Sequence, residues 1–544
     1  MRRFSSLLLR SIPRRYAAES NQKVQIPRRL SQNPYIWKLN RNRSFLIGNT
    51  FSSYNKQQYM MYGAAHFSSL SRKETDDENR NDQLLEVEII SEEHIKPASP
   101  TPDHLRTYEV SVLDQLFGHI YVPFVYFYQN NVHHDNRLIL IKRRQLLKQS
   151  LSEVLSRFYP LAGKVKGSRH IDCNDEGVYY VEAKVNGPLS DFLINQPHTK
   201  SIHRFLPVDP NSMELLFSKT YVVMIQVTAF DCGGIAIGLY TSHKIIDGVS
   251  QVTFLKAWAD AALAHDEEEK EEEIIRPSFI SPSIFPPNPA LPENEAVMYF
   301  IANLEQKKCV TRRFLFSSSS IMKLKKKAIA STRVMAVTGL IWKCIVAASK
   351  ARSKASNCIA RSSAMRILVN LRNKGTTPIS PLAIGNILWL TDPIQYSRSD
   401  DDDDDDDDLE YIVGRLKNAT DQINGDFIER MKGEEWSLKV GDKLNEMEKE
   451  YSDTNADTIA LTSLCNMGIY EIDFGWGKPI WASIGNAYVD ISLVNNFILL
   501  MDAKSGNGVE AWVTLREENM AFLENHPELL AFASLNPNPL ETID

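Results

Sequence analysis

Residues 235–263 read IAIGLYTSHKIIDGVSQVTFLKAWADAAL. Ile235, Ile237, Leu239 and Thr241 alternate with Ala236, Gly238, Tyr240 and Ser242, the period of a strand. After Gly248 the period changes. Val252, Leu255, Ala259 and Ala262 recur every three or four residues, the apolar stripe of a helix. His243 therefore falls where a strand ends and a loop leads into a helix. A rigid element fixes a side chain there while the loop keeps it reachable, which suits a reactive group. An imidazole can take up and return a proton near neutral pH, the work of a general base. Asp247, four residues on, can orient that ring or pin the turn by pairing with an arginine. The spacing alone decides nothing. Among 12 histidines about 0.7 such pairs arise by chance, and a single histidine at a strand end is more often structural.

Outward from this stretch, 544 residues exceed one ordinary domain and favour two, with appendages. The body starts near Leu84, where LLEVEIISEEHI alternates like a strand. QLLKQSLSEVLSRF (145–158) has helical spacing, and Tyr159-Pro160 stops it. A second boundary spans 266–295, where DEEEKEEEIIRP runs into SFISPSIFPPNPALP. That composition reads as an exposed crossover between an N-terminal domain (84–265) and a C-terminal domain (296–544). In the latter, Ser320–Ala330 and Arg333–Ala348 read as helices and Arg366–Leu371 as a buried strand. Asp400–Asp408, nine consecutive aspartates, reads as a solvated surface loop (398–409).

Residues 1–80 form a basic N-terminal extension. As far as Lys73 it carries 14 Lys/Arg against Glu19 alone, so the rest of the chain must be strongly acidic to bring the total to −6. An acidic body does not bind nucleic acid through bulk charge. The extension begins MRRFSSLLLRSIPRRYAAES, Arg- and Ser-rich and too briefly apolar for a secretory core. It reads either as an organellar transit peptide or as a disordered tail. No apolar run is expected to cross a bilayer. Six scattered cysteines, with no CxxC pair, suit a reducing compartment and argue against zinc or a disulfide scaffold. His133-His134-Asp135 lacks a second ligand cluster and reads as a polar loop, and no metal is expected.

Asp473-Phe474-Gly475-Trp476-Gly477, followed by Lys478-Pro479 and lying 230 positions beyond His243, changes the weight of the histidine. Together HKIID and DFGWGKP resemble the plant BAHD acyltransferase family, whose signatures are HxxxD and DFGWG in this order. SLSEVLSRFYPLAGKV (150–165), RVMAVTGLIWK (333–343), VNLRNK (369–374) and IGN (384–386) also match, over Leu84–Asp544. CNMGIYEIDFGWGKPIWAS looks most like the alkaloid-acetylating, vinorine synthase-like branch. Leu464 stands where many members carry Trp, and the aspartate run and basic extension depart from the pattern.

The resemblance implies an α/β (α+β) fold of two similar-sized mixed-sheet domains, chloramphenicol acetyltransferase-like, with an active-site channel between them. It implies a monomer without a tightly bound cofactor or membrane, and a cytoplasmic location, with mitochondrion or plastid as alternatives if the extension is a transit peptide. His243 would be the general base. Asp247 would point away and pair with an arginine, for which Arg372 is the candidate. The DFGWG residues, Asp473 to Gly477, would support the fold and the coenzyme A end. Acyl-CoA, acetyl-CoA above all, would donate to a hydroxyl of a specialised metabolite such as an alkaloid or terpenoid. N-acylation of an amine and a catalytically idle binding or scaffold role are the alternatives. A peptide-synthetase condensation domain would carry a second His before the catalytic one, and position 242 is Ser. Ser317–Ser320 reads either as a phosphate-binding helix start or as an ordinary helix cap.

Overall fold

Strands form in both halves of the chain, several of them buried along their whole length. A computed structural model describes residues 86–118, 120–130, 136–194, 199–208, 220–266, 274–291, 309–355, 362–396, 407–454, 456–485 and 496–541. All lie in one unit, Thr75–Asp544. The basic extension (1–80), His133-His134-Asp135 and Asp400–Asp406 lie outside the described residues.

The first half contributes β1 (Val87–Ile95), β2 (Thr107–Glu109), β3 (Tyr121–Tyr128), β4 (Lys164–Lys166), β5 (His170–Asp172), β6 (Val178–Val185), β7 (Val223–Phe230) and β8 (Ile235–Ser242). The second half contributes β9 (Cys309–Phe316), β10 (Ser363–Asn370), β11 (Leu388–Leu390), β12 (Ile394–Tyr396), β13 (Asp457–Ser463), β14 (Trp481–Ser483), β15 (Phe497–Asp502), β16 (Val509–Arg516) and β17 (Ala533–Leu535). Besides a three-stranded sheet, β2-β5-β4, there are two large ones, β1-β6-β7-β8-β3-β14 and β11-β10-β13-β15-β16-β9-β17 with β12 on β10. Both are mixed. β6 and β7 are parallel, as are β10, β13 and β15, and the other pairings are antiparallel.

The helices that matter for the site are α1 (Val112–Gln115), α2 (Asn136–Arg157), α3 (Gly248–Asp266), α4 (Ser318–Lys327), α5 (Arg333–Ala355) and α6 (Asp407–Gln422). The first core joins the first sheet to α2 and α3, through Leu147, Leu151, Val154, Phe254, Leu255 and Trp258. The second sheet serves two cores at once. On β15, Phe497, Leu499 and Met501 pack into the first core while Ile498 and Leu500 pack into the second. On β16, Trp512 belongs to the first, and Ala511, Val513 and Leu515 to the second. Successive side chains of a strand point to opposite faces, so one strand fills both.

Three expectations need correction. The proline-rich stretch is not merely an exposed connector: Phe285 and Leu291 drop into the second core, the Asn288 backbone exchanges two hydrogen bonds with the Gln115 side chain, and the Asn288 side chain donates to the Ser437 carbonyl. Pro282 stands in the first turn of a short helix, Ser281–Ile284, that ends at the buried Phe285. Arg333–Lys354 is, by length and composition, long and apolar enough to cross a bilayer. It is mostly buried, and Ala336, Val337, Leu340, Ile341 and Cys344 supply a helical stripe to the second core. Finally, Asp407 and Asp408, the end of the aspartate run, open α6 instead of extending a loop.

The halves also exchange segments. Val112, Leu113, Leu116 and Phe117, from the first half, pack in the second core. In return, Ile469–Trp481 of the second half packs in the first core, and β14 is added to the edge of the first sheet beside β3. A single cut in the sequence assigns neither segment to the body it packs in.

Candidate active site

β8 ends at Ser242, a turn follows, and α3 begins at Gly248. His243 occupies the first turn position, and its N–H donates to the Ile120 carbonyl (2.7 Å). Its neighbours Ser242 and Lys244 are buried, while His243 keeps some surface open. Phe117 stacks on the imidazole, with ring centres 4.3 Å apart and planes 9° from parallel. Stacking on one face, together with a contact at Nδ1, restricts rotation of the ring about its χ2.

The tautomer follows from the hydrogen bonds. The Asn386 amide nitrogen donates to the Asp114 carboxylate (2.9 Å) and to the His243 carbonyl (2.7 Å), two groups that only accept. The Asn386 amide oxygen must therefore face His243 Nδ1, at 2.9 Å, and Nδ1 must carry the proton. Nε2 is left with its lone pair, and no partner bonds it among the described residues. Burial pushes the His243 pKa below its ordinary value, against the opposing influence of the Asn386 hydrogen bond and the Asp247 charge. Such a ring is neutral at physiological pH and can accept a proton at Nε2.

Asp247 does not touch the imidazole. Arg372 donates to both its oxygens, at 2.7 and 3.1 Å. Asp247 also accepts the Ser250 N–H (2.8 Å), which caps α3, and the Ile387 N–H (3.3 Å). Both side chains are buried. Arg372 donates further to the Ala383 and Gly385 carbonyls and to Ser250. Gly385, at φ +137 with Ser281 3.0 Å from where a Cβ would stand, turns the loop so that Asn386 meets His243. The buried ion pair thus locks the HKIID turn of one half to the 379–387 loop of the other.

Lys244 is almost fully buried, and its ammonium donates to the Phe117 (2.6 Å) and Asp114 (3.4 Å) carbonyls at the end of α1. Burial lowers its pKa to about 8, despite the nearby Asp114 charge.

The DFGWG loop lies elsewhere. Asp473 accepts the N–H groups of Gly475 and Gly477, both 2.9 Å, closing a tight loop. Both glycines have positive φ (+100 and +109), which a side chain would resist. Phe474 meets Trp258 of α3 edge to face at 5.0 Å and also contacts Tyr128. Arg143 of α2 lies 5.0 Å over Trp476. Ser317 accepts the Ser320 N–H, an ordinary cap of α4. Nothing in the periodicity singled out Asn386, Asp114, Phe117 or Lys244. The triplet IGN and the capping pattern Ser111-x-x-Asp114 were their only traces, and each reads locally as a turn or a helix start.

A model of the Transferase family matches residues 85–530. The chain belongs to the BAHD transferase family. Limonoid 7-O-acetyltransferase of Citrus sinensis is 38% identical over 475 residues, covering 84% of this chain and all of that relative. An N-malonyltransferase of Strychnos nux-vomica, acting on 17,18-epoxy-17-hydroxycur-19-ene, is 33% identical over 83% of this chain and 91% of its own length. The crystal structure of vinorine synthase superposes with a TM-score of 0.66 at 31% identity, over 82% of this chain and 99% of that one. This BAHD member is an acyl-CoA-dependent O-acyltransferase, and its two-sheet architecture is that of the family.

Proposed function

We propose that this BAHD enzyme transfers an acetyl group from acetyl-CoA to a hydroxyl of a limonoid-type triterpenoid, with His243 as general base. The observation that carries the chemistry is the Asn386 amide oxygen 2.9 Å from Nδ1, from which the Nδ1–H tautomer and a free Nε2 lone pair follow. The limonoid acceptor is supported by the relatives from Citrus sinensis and Melia azedarach, each 7-O-acetyltransferases and 38% and 37% identical.

In the reaction Nε2 takes the acceptor O–H proton as the oxygen attacks the thioester carbon. The tetrahedral oxyanion collapses, the C–S bond breaks, and the imidazolium returns the proton to the departing thiolate. No acyl-enzyme forms, so both substrates must be bound together and the kinetics are intersecting rather than ping-pong. Asp247 and Arg372 act by holding the turn and the facing loop together.

His243→Ala should lower kcat by about 10²- to 10⁴-fold while the protein stays folded. Wild-type turnover in that variant would remove His243 from the mechanism. The substrate reading is tested by product mass spectrometry with acetyl-CoA or malonyl-CoA against a limonoid alcohol, an indole alkaloid alcohol and an alkaloid amine. Acetylation of the limonoid alcohol above the others is expected. Preferential acylation of the amine would favour N-acyl transfer, the reading that the Strychnos relative supports.

A further inference from the structure

We propose that Asp114 is a positioning residue for His243: through the Asn386 amide it holds the imidazole in the Nδ1–H tautomer. The proposal rests on the reading of His243 as base. Asp114 is fully buried, and its carboxylate accepts four donors. These are the Ser111 N–H (2.9 Å) and O–H (2.6 Å), the Asn386 N–H (2.6 Å) and the Asn386 side-chain amide (2.9 Å). Burial raises the Asp114 pKa, and the hydrogen bonds from Ser111 and Asn386 oppose that shift by favouring the ionised form. An ionised carboxylate accepts only.

That acceptor makes the chain one-way. A carboxamide can turn over and exchange its oxygen for its nitrogen at little steric cost, so without Asp114 only the bond to the His243 carbonyl would hold the orientation of Asn386. Turned over beside Asp114, it would set oxygen against oxygen in a buried site and forfeit the bond to the His243 carbonyl. Orientation therefore passes from Asp114 to Asn386 to Nδ1.

The same short segment sets the ring plane, because Phe117 stacks on His243 and Lys244 grips the segment's carbonyls. The charged groups around the ring are Asp114, Lys244, Asp247 and Arg372. Asp247 is committed to Arg372, which leaves Asp114 as the carboxylate in line with the imidazole.

The test begins with ¹⁵N-histidine NMR of the full-length wild type, the His243 signals being assigned by their loss in His243→Ala. The neutral ring is expected as the Nδ1–H tautomer, and an Nε2–H ring overturns the proposal. Asp114→Asn allows Asn386 to turn over, so the ring should move toward Nε2–H. Its kcat should fall by roughly 10- to 100-fold, with both KM values within about twofold. Asp114→Ala removes the carboxylate altogether and serves if Asp114→Asn alone fails to fold. It should show the same loss of the Nδ1–H tautomer and the same fall in kcat, and Asp114→Glu, which keeps a carboxylate, should recover part of both. An Asp114→Asn or Asp114→Ala enzyme with unchanged kcat and tautomer overturns the proposal. Loss of activity in His243→Ala alongside either result leaves the base in place; an active His243→Ala enzyme removes the base itself.

Discussion

The two exchanged segments make opposite uses of the same manoeuvre. The Ser111–Phe117 segment enters the second core with four apolar side chains and delivers a buried carboxylate and a ring to His243. The Ile469–Ser483 segment enters the first core with Phe474, Trp476 and Trp481, and its contacts are aromatic faces, a cation and a strand edge. The louder motif is an anchor. The quieter one reaches Asn386 and His243.

Disrupting each segment should therefore fail in a different measurement. On the side of the first segment, Asn386→Leu breaks the link between Asp114 and the ring; kcat should fall by about 10²- to 10³-fold in steady-state assays. Asp247→Ala should destabilise by about 3–5 kcal/mol in denaturant unfolding, because it leaves a buried Arg372 charge without its partner. Phe474→Ala should cost about 3–5 kcal/mol through the cavity left against Trp258 and Tyr128, yet leave kcat unaltered below its melting transition. A large loss of kcat in folded Phe474→Ala would erase the contrast between the segments. Arg143→Met, which removes the cation over Trp476, should cost only about 0.5–2 kcal/mol.

The pH profile sharpens the same contrast. Burial depresses the His243 pKa, so the acid limb of kcat/KM should lie below the ordinary value near 6.5. Activity is lost as pH falls through that pKa, because the base must be deprotonated. In Asn386→Leu the hydrogen bond that raises the pKa is gone, and the limb should move to still lower pH. Movement to higher pH would contradict the assigned bond.

Much of the frame was legible in the residues themselves. The change of period at His243 marked β8, the turn and α3. The alternation before Ile95 marked β1. Arg372 could be named beside Asp247 only through the family likeness, because no local pattern links residues 125 positions apart. Asn386, Asp114 and Phe117 were illegible for the same reason. Each is an ordinary turn, cap or core residue until the chain brings positions 114, 243 and 386 together. The buried fate of Phe285 was hidden by its prolines, whose composition suggests exposure whatever lies beneath.

The alternation along β15 and β16 has a consequence for inheritance. Since one strand serves two interiors, neither half is a module that could be traded for that of a cousin. A graft at the 266–295 junction would force a foreign partner to match Phe497, Leu499, Met501 and Trp512 side chain by side chain. New acceptor preferences are easier to reach by changing what surrounds His243 than by shuffling halves.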